Sequence, residues 1–372
     1  MARPQFTSLK LSVAAADTQP DAAPHPSIPL HRPPASKPAE AWPPPAADTW
    51  RHRPVLITGG LGFIGSTLAI RLVELGAQVT LIDSLIPEYG GNLTNIAGYE
   101  DRLRVNLSDI RDRFSLEALV RGQAVIFNLA GQTSHLDSMR DPRTDLEINC
   151  TAQLSLLEIC RASNPEARIV FASTRQLYGR PRYLPVDEAH PTQPVDVNGI
   201  NKLSAELYHQ LYADVHGLST SVLRLTNTIG PRMRVKDARQ TFVGIWIRRL
   251  LEGDPIEVWG GQQLRDFNDV EDVVDALLRA GERRDLAPTP FNLGHSERIS
   301  LQELAELLIH LHGSGTLRVT PYPAERRRID IGDYYSCHQR FTEATGWRPR
   351  HSLRQTLERT LAYYGSHLPA YR

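Results

Sequence analysis

Gly60, Gly62 and Gly65 stand at G-x-G-x-x-G spacing with Gly59 in front of them, and they are the first residues along the chain whose types and intervals point to chemistry. Glycines at these intervals permit a tight turn and let the backbone approach a pyrophosphate, which then meets the N-terminus of the following helix. Taken alone the pattern is weak. Here the apolar run "PVLIT" precedes it, the amphipathic stretch "FIGSTLAIRLVELG" follows it, and an acid, Asp83, ends the next apolar run, "AQVTLID". A carboxylate at that place accepts hydrogen bonds from adenosine ribose hydroxyls and repels a 2′-phosphate, so the expected cofactor is NAD rather than NADP. The bland alternative, an ordinary glycine-rich turn, does not account for the combination.

A second stretch, "VDVNGINKLSAELY" from Val195 to Tyr208, raises a sharper question. Its Asn-Gly pair signals a turn, and from Lys202 onward it reads as a helix with Leu203, Leu207 and Leu211 on one face. Lys202 is either a polar residue in the first turn of a surface helix or half of a catalytic pair whose partner must be found.

These residues need elements to position them. From Arg53 the chain alternates short apolar runs with helical patterns. "PVLIT", "AQVTLID", "LRVNLSD", "AVIFNLA", "ARIVFAS" and "STSVLRL" read as buried strands. "FSLEALVRG", "RTDLEINCTAQLSLLEICRAS" and "NKLSAELYHQLYADVHG" read as helices between them. This alternation predicts an α/β fold, a doubly wound parallel sheet covered on both faces, over residues 51–226. After Leu225 the rhythm loosens. Helices such as "GIWIRRLLEG", "VEDVVDALLRAG" and "SLQELAELLIHLHG" alternate with short strands, "IEVWG" and "LRVTPY". Residues 227–372 are therefore expected to form mainly a smaller substrate-binding region, partly interwoven with the first. The first 50 residues hold 11 of the 27 prolines, and they read as a disordered Pro/Ala-rich tail.

Composition narrows the function classes. Lys+Arg and Asp+Glu are both 42 in 372 residues, so no basic excess points to nucleic acid or to a membrane surface. No apolar run reaches the length of a membrane span, and the N-terminal residues lack a signal-peptide core. Three scattered cysteines, Cys150, Cys160 and Cys337, are too few for a disulfide framework or a zinc site and fit a reducing, cytoplasmic compartment.

From about Pro54 to about Pro349 the sequence resembles the extended short-chain dehydrogenase/reductase family, the NAD-dependent nucleotide-sugar epimerases and dehydratases. "TGGLGFIG" matches the family's glycine motif, so Gly59, Gly60, Leu61, Gly62, Phe63, Ile64 and Gly65 are implied cofactor contacts. "SDIRD" implies Asp109 and Ile110 beside the adenine. "NLAGQTSHLDSMRDP" implies Leu129, Ala130, Gly131 and Gln132 along the cofactor, and "EINCTAQLSLLE" supplies the family's helix asparagine, Asn149. "FASTRQLYG" matches the strand end that carries the catalytic Ser/Thr, here Thr174. "RLTNTIGPR" implies Asn227 near the sugar diphosphate, "LRDFNDVEDVVDAL" implies Arg265 on a phosphate, and "RRRIDIG" implies Arg327 or Arg328 as a second phosphate contact. Singly, each has a plainer reading: Arg265 as a surface ion-pair partner, Arg326 to Arg328 as a solvated basic run, Asn149 as a polar residue on a packing face. Their joint order favours the ligand contacts, and guanidinium forks match phosphate oxygens.

The family oxidises a sugar hydroxyl transiently, and the fate of the keto sugar decides the reaction. The usual dehydratases of the family have an Asp-Glu pair after the threonine, and the related decarboxylases keep the glutamate. Here Arg175 and Gln176 occupy those places, and neither can serve as a carboxylate acid or base. Epimerisation needs no such carboxylate, so the resemblance implies an epimerase, with C4 of a UDP-sugar as the family's commonest case. Arg175 either recognises an anionic substituent such as a uronic acid or points away into a structural ion pair.

The family's basic tyrosine, four residues before the lysine, is replaced by Asn198. An amide cannot take up a proton at neutral pH. Three readings are open. Another group takes the proton: Tyr178, Asp196, His135, His190 or a water held by Asn198. Or Lys202 is itself the base, its pKa lowered by burial and by the nicotinamide charge. Or the protein binds NAD and a nucleotide sugar without turnover. Family members often dimerise through two helices per subunit, here those after Arg143 and Asn201, so a homodimer is expected.

Overall fold

The computed structural model describes residues 47–286, 288–323 and 330–372. It holds twelve strands, in chain order β1 (Pro54–Thr58), β2 (Gln78–Ile82), β3 (Leu103–Asn106), β4 (Val125–Asn128), β5 (Arg168–Thr174), β6 (Ser219–Leu225), β7 (Asn227–Ile229), β8 (Ile256–Trp259), β9 (Leu264–Asp269), β10 (Phe291–Leu293), β11 (Arg298–Ser300) and β12 (Leu317–Thr320). Seven of them form one parallel sheet in the order β10-β6-β5-β4-β1-β2-β3. The six apolar runs read from the sequence are its first six strands.

Residues of β1 alternate between two cores because successive side chains leave opposite faces of a strand. Val55 and Ile57 pack with Leu68 and Leu72 of the Phe63–Glu74 helix and with Val273 and Leu277 of the Val270–Glu282 helix. Leu56 packs on the other face with Leu116, Leu156 and Ile159. A doubly wound sheet results, with both faces dry. The second region has its own core, in which Val243, Trp246, Ile247 and Leu250 meet Ile256, Val258, Leu304 and Leu308.

The two regions are laced together in a specific way. β10 and the Val270–Glu282 helix come from beyond residue 227, yet both belong to the main sheet layer. The N-terminal boundary also differs from the sequence reading. Trp50, assigned there to the tail, is fully buried in the sheet core, and its indole N–H donates to Glu282 at 2.7 Å. Residues 1–46 lie outside the described residues, as does the expectation of disorder made for them.

The largest correction concerns the helix bearing Lys202. It begins at Val197, not at Lys202, because Asp196 caps it, its carboxylate accepting the Gly199 N–H at 2.7 Å. Asn198-Gly199 is thus part of the first helical turn rather than a turn before it. Of its leucines, Leu203 packs against the cluster of Leu177, Tyr178 and Tyr334. Leu207 and Leu211 are half exposed, while Asn198, Asn201, Lys202, Glu206 and His209 are buried. That buried polar face is satisfied by the sheet: Glu206 pairs with Arg224 of β6 and accepts from Ser173 of β5 at 2.8 Å.

Candidate active site

The sheet order reverses between β1 and β4, and a crevice opens beyond the C-terminal ends of those strands. β1 delivers the glycine turn to it. Gly59 has φ +68°, which favours glycine, and a Cβ on Gly65 would stand 2.2 Å from the Gly59 carbonyl oxygen. The turn therefore packs directly on the start of its helix. Gly62 is the N-cap and has no side chain to satisfy the first N–H groups of that helix, which leaves them for an anion. Asp83, at the end of β2, accepts the N–H groups of Leu61 at 3.1 Å and Leu85 at 3.0 Å. Burial pushes its carboxyl up, and those N–H donors oppose the rise.

The cleft is walled by Gly59, Gly62, Phe63, Ile64, Gly65, Asp83, Asp109, Ile110, Leu129, Ala130, Gly131, Gln132, Thr174, Arg175, Asn198, Lys202 and Asn227. Gly60 and Leu61 serve the turn from behind: Gly60 packs on Leu81, and Leu61 is fully buried. Both oxygens of Asp109 accept from one edge of the Arg111 guanidinium, Nε and Nη2, each at 2.9 Å, which holds its carboxyl below the usual range. These features fit a dinucleotide: a glycine turn in which a Cβ on Gly60 or Gly65 would clash, helix N–H groups that no side chain caps, and an acid at the end of β2.

Behind the part of the cleft walled by Gln132, Asn198 and Lys202 lies a buried polar cluster. Asp145 is 1% exposed and accepts amide hydrogens from Asn201 at 2.7 Å, Asn149 at 3.0 Å and Asn198 at 3.1 Å. Asn149 and Asn198 also donate to the Gln132 carbonyl, at 2.9 and 2.8 Å. Asn149 sits in a π-helical turn, Glu147–Thr151, within the long helical stretch, and such turns cluster at functional positions. Asn198 thus spends its N–H groups inward, holding the cleft wall in place. Sequence reading missed Asp145; its only signal was its spacing one helical turn before Asn149.

Lys202 lies over this cluster. Its ammonium donates to the Ala172 carbonyl at 3.2 Å and sits 4.9 Å from the centre of the Phe171 ring. Burial pulls its pKa down to about 8, with Asp145 opposing the fall. The surface-helix reading of Lys202 is therefore excluded by its place in the cleft wall.

Two candidate bases do not reach the cleft. Tyr178 is fully buried, donates to Asn292 at 2.7 Å and accepts from Arg224. Burial drives its hydroxyl well above its ordinary pKa. His190 is 3% exposed, with one ring nitrogen accepting the Arg182 N–H at 2.8 Å and the other against the Pro191 carbonyl at 2.8 Å. By contrast, His135 lines the cleft and places Nδ1 3.1 Å from Asp196.

A second cavity adjoins the first and shares His135, Arg175, Gln176 and Asn227 with it. Arg265 lines it, held by the Leu264 carbonyl at 2.9 Å, with its nearest described carboxylate, Asp330, 3.8 Å away. Burial, and then the like charge of Arg175, lower Arg265 to about 10. Arg175 donates to Asn227 at 3.1 Å and lies over Tyr334. Among the described residues it makes no ion pair. Gln176 donates to Asp196 at 3.1 Å. Arg327 and Arg328 lie outside the described residues.

A Rossmann sheet, a phosphate turn with its ribose acid, and an adjoining cationic cavity define an enzyme that brings a dinucleotide to a second, anionic ligand. The chain belongs to the NAD dependent epimerase/dehydratase family, which it matches over residues 55–294, and NAD is its cofactor. It is 30% identical to the UDP-glucose 4-epimerase of Mycolicibacterium smegmatis, over 83% of this chain and 97% of that one. It is also 30% identical to UDP-glucuronic acid decarboxylase 1 of Xenopus tropicalis, over 84% of this chain and 72% of that one. The crystal structure of a Thermotoga maritima UDP-glucose 4-epimerase with UDP-glucose superposes with a TM-score of 0.76 at 29% identity, covering 84% of this chain and 99% of that one.

Proposed function

We propose that this protein is an NAD-dependent nucleotide-sugar epimerase acting at C4 of a UDP-sugar through a transient keto sugar. The observation that carries this reading is the end of β5. Thr174 faces the cleft, and the two residues after it are Arg175 and Gln176, whose amide is engaged on Asp196. The Asp-Glu pair of the dehydratases and the glutamate of the decarboxylases are replaced here by Arg175 and Gln176, which favours return of the hydride to the keto sugar over dehydration or decarboxylation.

When bound, NAD accepts a hydride from the sugar carbon and returns it. The chain's own residues do the rest. The Thr174 hydroxyl holds the reacting sugar oxygen. The Lys202 cation anchors the nicotinamide ribose and favours negative charge beside it. Asn227 and Arg265 hold the diphosphate in the second cavity, where the weakly compensated guanidinium of Arg265 suits an anion. Asn198 keeps the wall rigid through Gln132 and Asp145.

The reading extends to a homodimer. Leu207, Leu211 and Val215 recur every four residues on one helix, at 54%, 50% and 64% exposure, and Leu146 of the neighbouring helix is 45% exposed. A matching pair of helices from a second copy would cover this apolar stripe. Three free cysteines, and the lack of any described helix long and apolar enough to cross a membrane, support a cytoplasmic site of action.

The test is turnover. Purified protein with NAD is given UDP-glucose, UDP-galactose and their N-acetylamino counterparts, and products are followed by NMR. Interconversion of one gluco/galacto pair is expected. Thermal stabilisation by UDP-sugars with no product from any of them would overturn the epimerase reading in favour of a binding protein.

A further inference from the structure

Among the described residues, the cleft holds the hydroxyl and the lysine of the expected site, with Asn198 where the expected tyrosine would stand. Each remaining candidate can be judged on its surroundings. Tyr178 and His190 are buried away from the cleft with their polar atoms engaged. Both oxygens of Asp196 accept hydrogen bonds, one from the Gly199 N–H and the other from Gln176, and Asp196 is 3% exposed. The Lys202 ammonium has no lone pair while it remains charged, and its protons point to the Ala172 carbonyl.

His135 is different. It opens the His135–Arg140 helix, whose N-cap Ser134 accepts the Asp137 N–H, so its backbone is fixed. Its side chain is 40% exposed, yet Nδ1 is buried 3.1 Å from Asp196. The contact has ion-pair distance without the geometry of a full hydrogen bond. With Nδ1 turned inward, Nε2 is the ring nitrogen left for a ligand. His135 lines both cavities, and so stands where a nucleotide sugar in one meets the cofactor in the other. Asp196 is itself immobilised as the N-cap of the helix that carries Asn198 and Lys202. A buried carboxylate on Nδ1 of an imidazole selects the tautomer with Nδ1–H and a free lone pair on Nε2, and it stabilises the imidazolium once formed.

We infer that His135, oriented by Asp196, is the general base and acid of this enzyme, standing in for the absent tyrosine. This rests on the epimerase reading. The sugar hydroxyl gives its proton to Nε2, the C–H electron pair leaves as hydride to the nicotinamide, and the C–O bond becomes a carbonyl. After the keto sugar turns over, hydride returns to its other face and the imidazolium gives the proton back. Charge and atoms balance with no further reactant. His135 is the catalytic residue and Asp196 the positioning one.

The test uses the full-length protein and the sugar pair found to be interconverted. His135→Asn keeps an N–H facing Asp196 but deletes the outer nitrogen. It is expected to lower kcat by about 100-fold or more, the usual worth of a positioned acid–base group. KM should hold, and free imidazole should restore part of the rate. Asp196→Asn keeps a good helix cap and so the fold, and it should lower kcat by about 10-fold or more. Nitrogen-15 NMR of the imidazole should show a protonated Nδ1 in the wild type, with that preference lost in Asp196→Asn. Turnover of His135→Asn within threefold of wild type would overturn the inference while leaving the epimerase intact. A wild type inert toward every sugar pair overturns both.

Discussion

Lys202 offers a prediction that can be worked from structure to number. The side chain is buried in the cleft wall, and burial brings its pKa from an ordinary 10.5 to about 8. The folded state therefore binds its proton less tightly than the unfolded state does. Between about pH 8 and 10.5 the unfolded chain holds a proton that the folded chain has released, and stability rises with pH across that window. Below about pH 8 both states hold the proton, and the folded protein bears the whole cost of a buried charge. At about 1.4 kcal/mol per pH unit, the gap amounts to roughly 3 kcal/mol. Lys202→Met removes the titrating group and leaves the others. Urea unfolding of both proteins without cofactor at pH 7, 8, 9 and 10 isolates it by subtraction. The stability of the wild type relative to the variant should climb by about 2–3 kcal/mol from pH 7 to pH 10. A difference that stays flat, or that falls with pH, would refute the argument that burial dominates at Lys202.

Asp145→Asn should cost about 1–3 kcal/mol of unfolding free energy, because it sets an amide donor among three amide donors and lowers the support for the Lys202 charge; denaturant melts check it. Gly65→Ala forces a Cβ against the Gly59 carbonyl, and an overpacking cost of about 3 kcal/mol should weaken NAD binding roughly 100-fold, read by calorimetric titration. On the proposed homodimer, Leu207→Asp combined with Leu211→Asp places charges on the exposed stripe and should halve the mass seen by sedimentation, with the fold unchanged by circular dichroism.

What sequence alone determined here was local or periodic. Six apolar runs became six parallel strands, because a run of β-branched and aliphatic residues between turn signals has few other ways to be buried. The glycine turn and Asp83 were legible for the same reason. Each is a short-range geometric demand, a positive φ or a missing Cβ, tied to one residue type.

Direction was what tertiary structure decided. The leucines of the Val197–His216 helix mark an apolar face, and helical periodicity alone would turn that face to the core. The sheet instead presents Ser173 and Arg224 beneath the helix, and Glu206 answers them, so the polar face goes in, Leu203 stays partly buried, and Leu207 and Leu211 go out. The same inversion brings Asn198 and Lys202 into the cleft. Trp50 looked like the end of a proline-rich tail until a helix some 230 residues later offered Glu282 for its indole. Tyr178 and His135 were both candidate bases as letters, with Tyr178 the one expected among the catalytic residues. β6 and β10 bring Arg224 and Asn292 to the tyrosine and consume it. The cap of a helix 60 residues downstream gives the histidine a carboxylate and leaves its other nitrogen to the cleft. A residue's chemistry is written in its type, but whether its polar atoms are spent or free depends on neighbours distant in the chain, and only the folded packing chooses those.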